Sequence, residues 1–150
     1  MVAEELIKKY LIAGKLMQVA TVDGGKPWVC TVYFVSDELQ NLYWLSFPER
    51  RHSKDITKSP HVAIAIAVKH DQPVIGIQAE GTADEVDDEK TVEKIMEKYV
   101  AKYGAGKDFY KNFKAGKMKH RLYKFIPNTF VLFDEVHFKN DARQTWNPGV

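Results

Sequence analysis

The chain is 150 residues long, with 45% hydrophobic and 28% charged residues, the balance of a globular protein. That length supports one domain with a substantial core and is short for two, so we predict a single domain over residues 1–150. The 22 basic and 20 acidic residues leave a formal charge of +2, which does not indicate a nucleic-acid-binding surface.

The first half of the sequence predicts one helix followed by strands. Apolar residues recur at helical spacing in residues 3–13, and Gly14 follows as a stop signal. Runs of β-branched and aromatic residues then predict strands at 15–22, 28–35 and 42–47. We expect the second and third of these strands to pair as a hairpin.

A short helix and two further strands are predicted in the middle of the chain. Ser53 is suited to cap a short helical turn, because its hydroxyl can accept from a free backbone N–H. Residues 61–68 and 74–86 are typical of strands. Gly76 and Gly81 inside the second strand indicate bulges or close backbone approaches.

The last third predicts the one long helix and the final strands. Residues 87–104 begin with acidic side chains and end in a glycine, as a helix does. A further short helix is predicted at 107–113, and strands at 121–127 and 129–138. Residues 139–150 read as a polar tail.

This order of elements predicts a mainly β protein with flanking helices (α+β). About six strands with short connections favour antiparallel pairing, whereas a parallel doubly wound sheet requires alternating strands and helices. A small closed or half-closed barrel hides the edges of such a sheet.

The cysteine, histidine and hydropathy patterns argue against disulfides, a metal site and a membrane span. Cys30 is the one cysteine, which excludes an internal disulfide framework, and its apolar neighbours favour a small buried side chain. The five histidines are too scattered to predict a metal site. The charged first residues do not resemble a signal peptide, and no window approaches the ~20 apolar residues of a membrane span. We therefore predict a cytoplasmic protein that does not contact membranes.

Positive charge is concentrated in one short segment of this nearly neutral chain. Arg50, Arg51, His52 and Lys54 fall together at the start of the predicted short helix. Cationic donors, the Ser53 hydroxyl and free N–H groups at a helix start are what a phosphate group requires. A solvated basic loop is the alternative interpretation.

Four segments taken together resemble the flavin-mononucleotide-binding split-barrel proteins, the group related to pyridoxamine 5′-phosphate oxidase. They are residues 16–46, 49–66, 76–83 and 122–127. The resemblance therefore extends over nearly the whole chain and rests on the order and spacing of all four segments. It implies a six-stranded antiparallel split β-barrel that binds FMN.

The resemblance assigns the flavin phosphate to the cationic segment. Arg51 matches the phosphate-binding arginine of the family. His52 stands where the family has a lysine, and Lys54 lies two positions further on, so either is a candidate for the second phosphate ligand. Ser53 is a candidate for an additional hydroxyl contact.

The resemblance also assigns the contacts to the flavin ring. The pair that touches the isoalloxazine falls on Leu45 and Ser46, and the preceding strand contributes Thr31 and Val32. Gln78 resembles the glutamine that reaches the flavin from another strand, although its register differs by two residues. An outward-facing strand residue is the alternative for Gln78.

The resemblance implies a homodimer with one flavin at each end of the subunit interface, where the C-terminal Trp146 covers the partner's flavin. The expected activity is an oxidoreductase that passes hydride or electrons between a small donor, NAD(P)H among the candidates, and an acceptor. The oxidase has an arginine-rich C-terminal segment that recognises its phosphorylated substrate. In this chain the last ten residues contain a single arginine, Arg143, so we do not expect pyridoxine phosphate oxidation. The alternatives are a non-catalytic flavin-binding or stress-response module, or the same barrel with haem or a deazaflavin.

Overall fold

The computed structural model describes residues 2–106 and 108–150. Within these residues the protein has four helices and eight strands. The helices are α1 (Ala3–Ala13), α2 (Arg51–Lys58), α3 (Glu89–Tyr103) and α4 (Phe109–Lys114). The strands are β1 (Leu16–Asp23), β2 (Lys26–Tyr33), β3 (Val35–Ser36), β4 (Leu42–Ser46), β5 (His61–Lys69), β6 (Ile75–Glu85), β7 (Arg121–Asp134) and β8 (Arg143–Trp146).

The strands form one antiparallel sheet that curls into a half-barrel, which confirms the predicted split-barrel fold. The strand order is β2-β1-β5-β6-β7-β4-β3, and β8 pairs with β7 beside this path. The inner face of the curled sheet packs around Trp44, Phe125 and Phe130, all fully buried. The apolar side of α1 closes this core with Leu6, Ile7 and Leu11.

The two longest strands, β6 and β7, pair with a β-bulge at Gly81. The register between β6 and β7 shifts after Glu80, and Gly81 then lies opposite Pro127. A Cβ at Gly81 would lie 3.0 Å from the carbonyl carbon of Ile126 and closer still to its oxygen. Proline donates no ladder hydrogen bond, so this bulge is where a central strand can contain one. The close approach expected at Gly81 is confirmed, whereas Gly76 in the same strand has more space, with its nearest neighbour at 3.6 Å.

The strand count and one pairing differ from the sequence prediction. Eight strands replace the expected six, partly because the predicted strand 28–35 divides at Phe34 into β2 and β3. β2 pairs with β1, and only β3 pairs with β4, so the predicted hairpin of 28–35 with 42–47 was wrong over most of its length. The change of partner at Phe34 lets the chain cross from one end of the sheet to the other.

The cationic helix starts three residues earlier than predicted. Arg50 has extended backbone angles, and α2 begins at Arg51. Ser53 therefore lies inside the helix, 2% exposed, and the prediction that it caps the helix was wrong. The chain turns sharply after Phe47, whose carbonyl accepts from the Arg50 N–H. This turn, and not a capping hydroxyl, sets where the helix begins.

The C-terminal region contains one long strand and an additional short one. The predicted strands at 121–127 and 129–138 form the single strand β7, because β6 pairs with it from Tyr123 to Asp134 across the bulge, and residues 135–138 lie beyond its end. On its other side, β7 pairs first with β4 and then with β8. The predicted polar tail therefore contributes β8 to the sheet.

The long helix α3 follows its local sequence signals closely. The Asp88 side chain accepts a hydrogen bond from the Thr91 N–H at the start of the helix. Gly104 ends it in the left-handed conformation, with φ of 65°. Among the described residues, the helices are too short or too polar to cross a lipid bilayer.

Asp134 ties the first helix to the end of β7. It is fully buried and accepts hydrogen bonds from the Tyr10 hydroxyl at 3.1 Å and from Nδ1 of His137 at 2.8 Å. The backbone N–H groups of Val136 and His137 donate to it at 2.9 Å. Burial raises the pKa of this carboxyl group, but the donors from His137 and Tyr10 outweigh burial and hold the pKa of Asp134 below its usual value.

We expect Asp134→Ala to lower the free energy of unfolding at pH 7 by about 3 kcal/mol, because it leaves several partly buried donors without their acceptor. Since the folded-state pKa is depressed, the carboxylate stabilises the fold above its unfolded pKa, and this contribution is lost as the pH falls through the folded pKa. Urea unfolding between pH 3 and 7 measures both effects. Asp141→Ala, at an exposed position nearby, is the control. Equal stability of the two variants at pH 7 would contradict this role for Asp134.

Candidate functional site

Five of the residues predicted to bind the flavin line one pocket. Thr31 and Val32 reach it from β2, Leu45 and Ser46 from β4, and His52 from α2. The pocket is open to solvent on one side and has a volume of about 400 Å³. This volume lies within the range of small-molecule sites. We call it the aromatic pocket, because of its opposite wall.

Aromatic side chains form the opposite wall of the aromatic pocket. Phe47 follows β4, Tyr99 belongs to α3, and Phe109 begins α4. Tyr99 and Phe109 stack with ring centroids 5.9 Å apart and planes 4° from parallel. Met118 and His120 complete this side of the pocket, and the His120 ring stacks on Phe47 at 4.3 Å.

Ser46 and His52 form a hydrogen-bonded pair within the pocket. The Ser46 hydroxyl lies 2.6 Å from Nε2 of His52, and each residue is 7% exposed. Burial, and then the charge of Arg50, lower the pKa of His52, while Asp55 opposes them. His52 is therefore neutral at pH 7, and its ring nitrogen faces the Ser46 hydroxyl and not solvent.

Arg51 and Lys54 lie in a separate depression on the far side of α2. This basic groove, of about 480 Å³, is lined by Lys26, Arg51, Lys54 and Lys58, together with Asp23, Glu49 and Asp55. The Arg51 guanidinium lies 4.4 Å from the ring centroid of Trp28 and 3.9 Å from the Asp55 carboxylate. Arg50 instead lines the aromatic pocket, so the cationic segment presents charge on both sides of the helix start.

The start of α2 is free to bind an anion. Arg50 supplies no side-chain cap, and the N–H groups of a first helical turn have no acceptor inside the helix. The helix is held to the sheet by Asp55, which accepts from the Thr21 hydroxyl at 2.7 Å with both groups buried. The helix start therefore has a fixed position beside the aromatic pocket.

The remaining predicted residues lie outside the aromatic pocket. Ser53 is buried in α2. Gln78 points outward from β6, on the convex face of the sheet. Trp146 stacks on Phe130 of its own chain, with centroids 5.7 Å apart, beneath the Lys8 ammonium. The roles assigned to these residues at the flavin stay predictions.

Sequence reasoning did not identify the aromatic wall. It is built from Phe47, Tyr99, Phe109, Met118 and His120, which lie far apart in the chain. Tyr99 belongs to the apolar side of α3 and gives the same periodic signal as a core residue. The one available signal was the proximity of Phe47 to the Leu45 and Ser46 pair.

The sequence profile described as pyridoxamine 5′-phosphate oxidase matches residues 3–130. The chain belongs to this family. The match covers the chain from α1 into β7, with the aromatic pocket, and it ends before β8 and Trp146. A search of curated protein sequences found no match.

Several solved structures share the fold of this member of the pyridoxamine 5′-phosphate oxidase family. General stress protein 26 from Bacillus anthracis is 18% identical, with 98% of this chain and 99% of that chain covered and a TM-score of 0.70. The haem storage protein HutZ from Vibrio cholerae is 21% identical, with 85% and 91% covered and a TM-score of 0.65. An FAD-binding protein from Mesorhizobium loti is 16% identical, with 86% and 90% covered and a TM-score of 0.65. At these identities the similarity shows the fold alone.

Proposed function

We propose that the protein binds FMN, with the flavin ring in the aromatic pocket and the phosphate at the start of α2, and acts as an oxidoreductase. The observation that carries this proposal is the convergence of Thr31, Val32, Leu45, Ser46 and His52 on one pocket. These positions were assigned to a flavin by resemblance alone, from three separate segments. Membership of the pyridoxamine 5′-phosphate oxidase family supports the same cofactor class.

The chemistry of the pocket fits a flavin. Leu45, Val32 and the aromatic wall suit a flat ring system, and the Ser46–His52 pair offers hydrogen bonds to a polar edge. Arg50, Arg51 and Lys54 bring positive charge to a helix start with free N–H groups. An aromatic ring joined to a phosphate matches this combination of surfaces.

A bound flavin supplies the transfer of hydride or electrons, and the protein supplies binding, orientation and electrostatics. The aromatic wall shields one side of the pocket from water. Ser46 and His52 set the direction of the hydrogen bonds inside it. We propose a small-molecule donor such as NAD(P)H and a small-molecule acceptor, and these roles need no further catalytic side chain.

The convex face of the sheet supports a homodimer. We call it the alanine face: Ala20, Ala63 and Ala65, flanked by Val29 and Val131, line a shallow apolar depression there. The outer face of an antiparallel sheet that contacts water is normally polar. A flat face of small residues is complementary to itself, so we propose that a second copy covers it around a two-fold axis. Gln78 lies on this face, so the proposed interface would bury it against the second copy.

We expect Ala63→Arg to convert the dimer to a monomer, because a long charged side chain does not fit where small residues of two copies pack closely in the proposed interface. Light scattering or sedimentation measures the solution mass. Ala101→Arg adds the same side chain at an exposed position of α3 and is the matched control. A wild-type monomer, or a dimer unaffected by Ala63→Arg, would overturn the assignment of this face.

If Trp146 covers the partner's flavin, a chain that ends after Lys139 will show altered flavin fluorescence.

The second candidate function is haem binding in the same pocket. The specific observation in its favour is that Met118, His120 and His52 all line the pocket, and both residue types ligate haem iron. The absorption spectrum of the purified protein separates the two candidates, because haem has an intense Soret band and flavin has two bands in the near-ultraviolet and blue.

Titration of the apo-protein with FMN and riboflavin tests the leading proposal. We expect FMN to bind more tightly than riboflavin, since only FMN carries the phosphate. Oxidation of NAD(P)H by the loaded protein in the presence of an acceptor then tests turnover. Binding without turnover supports the non-catalytic flavin module, and equal affinities for FMN and riboflavin would overturn the phosphate site.

A further inference from the structure

The Ser46–His52 pair is the most completely buried polar pair that lines the aromatic pocket. The two residues come from different elements, β4 and α2, and their side chains meet at 2.6 Å. Each is 7% exposed, so little water competes for the hydrogen bond. A contact this short between two buried groups fixes the direction in which the serine hydroxyl presents its oxygen and proton.

Burial and the charge of Arg50 oppose protonation of His52, and the charge of Asp55 favours it. Arg50 faces His52 from the start of α2, and Asp55 lies one turn along the same helix. From the other elements, Tyr33 of β2, Tyr99 of α3 and the residue before β7, His120, line the same pocket. These groups carry no negative charge at neutral pH. Burial and Arg50 lower the pKa of His52, so the imidazole is neutral at pH 7.

We propose that His52 is a positioning residue that orients the Ser46 hydroxyl toward the flavin ring, and that it is not a phosphate ligand. His52 stands where the family resemblance implies a lysine for the phosphate. A neutral imidazole that faces a serine cannot replace that lysine's charge. This inference rests on the proposed flavin site. It assigns the phosphate to Arg51 and Lys54 in the basic groove, and the ring to Ser46 with His52.

The two roles predict different selectivity between FMN and riboflavin. If His52 acts on the ring through Ser46, then His52→Leu weakens both ligands equally and leaves the ratio of their dissociation constants unchanged. We expect a loss of roughly five- to tenfold for each ligand, the effect of one neutral hydrogen bond. A selective loss of FMN affinity in His52→Leu would show that His52 contacts the phosphate and would overturn the inference.

A double-mutant cycle tests whether His52 acts through Ser46. We expect Ser46→Ala, His52→Leu and the double variant to lose similar affinity, because all three remove the same hydrogen bond. His52→Gln can place its amide nitrogen near the position of Nε2, and we expect it to restore most of the affinity. Additive losses, or no rescue by glutamine, would overturn the positioning role. Far-UV circular dichroism verifies that each variant is folded.

The pH profile and NMR complete the test. We expect wild-type FMN affinity to be flat from about pH 7 to 8.5, where the phosphate, with a second pKa near ~6, is already dianionic. An imidazolium ligand would instead lose affinity with rising pH. Nitrogen-15 NMR of His52 in the apo-protein reports its protonation without any flavin. If the protein binds no flavin but His52 is neutral, the proposed function fails, and the inference keeps only the neutral, hydrogen-bonded Ser46–His52 pair. An imidazolium at pH 7 would overturn the inference itself.

Discussion

Gly81→Ala is expected to destabilise the fold by about 3 kcal/mol, one of the largest effects of any single methyl group in this protein. The added Cβ would lie 3.0 Å from the carbonyl carbon of Ile126. The obstacle is backbone, so it cannot move aside as a flexible side chain does. β6 and β7 must separate at the bulge, and the ladder around Pro127 is lost with them. Thermal unfolding should show a fall in Tm of roughly 6–12 °C.

Gly76→Ala is the matched control for Gly81→Ala. It adds the same methyl group in the same strand, but the nearest atom, the Ile66 carbonyl oxygen, is 3.6 Å away. Neither glycine has a positive φ angle, so alanine is allowed at both. We expect Gly76→Ala to be neutral or slightly stabilising, because alanine reduces the entropy of the unfolded chain. Equal effects at the two positions would show that close approach at the bulge is not the cause.

Arg51→Glu is expected to raise the dissociation constant for FMN by roughly 30- to 150-fold, or about 2–3 kcal/mol, with little change for riboflavin. The substitution replaces a cation near the proposed phosphate with an anion, in a groove that already contains Asp55 and Glu49. The expected effect is moderate because the Arg51 side chain is 45% exposed, and water screens its charge. Flavin fluorescence titration at fixed ionic strength measures both constants.

Two controls locate the phosphate. Lys9→Glu makes the same charge change at an exposed position of α1, away from both the aromatic pocket and the basic groove. Arg50→Glu reverses charge on the other side of α2, inside the aromatic pocket. If Arg50→Glu removes FMN selectivity and Arg51→Glu does not, the phosphate lies on the pocket side and our assignment of Arg51 is wrong. A general charge effect would appear in Lys9→Glu as well.

The helices were predictable wherever their signals are local. Asp88 and Gly104 bound α3 as a cap and a left-handed stop, and both act on neighbouring backbone groups. Ser53 shows the limit of such signals. Its residue type favours a cap, but the turn after Phe47 starts the helix earlier and buries the serine inside it.

Strand pairing was less predictable, because it depends on contacts distant in sequence. Residues 28–35 form a continuous β-branched and aromatic run, and nothing in the run marks the change of partner at Phe34. β4 pairs along its length with β7, some 80 residues later. β8 is a short strand of mixed polarity, so its sequence resembles a tail.

The candidate site was predictable on its strand side and not on its helical side. Thr31 and Val32 come from β2, and Leu45 and Ser46 from β4, two strands whose alignment with the family the resemblance provided. The aromatic wall requires α3, α4 and the segment before β7 to converge, and that convergence is a tertiary property. The division of positive charge between Arg50 and Arg51 likewise depends on the orientation of α2, which adjacent residues in a sequence do not reveal.

The hydrogen bond between Tyr10 and Asp134 joins a helix to a strand that is synthesised much later. These residues are separated by 124 positions, so α1 leaves the ribosome long before β7 does. α1 also packs against β8, which follows β7, so its apolar side, with Leu6, Ile7 and Leu11, is not fully covered until both strands have been made. Between the synthesis of α1 and that of β8, the nascent chain therefore exposes part of an amphipathic helix, the kind of segment that chaperones bind. Closure of the sheet around α1 waits for β7 and β8.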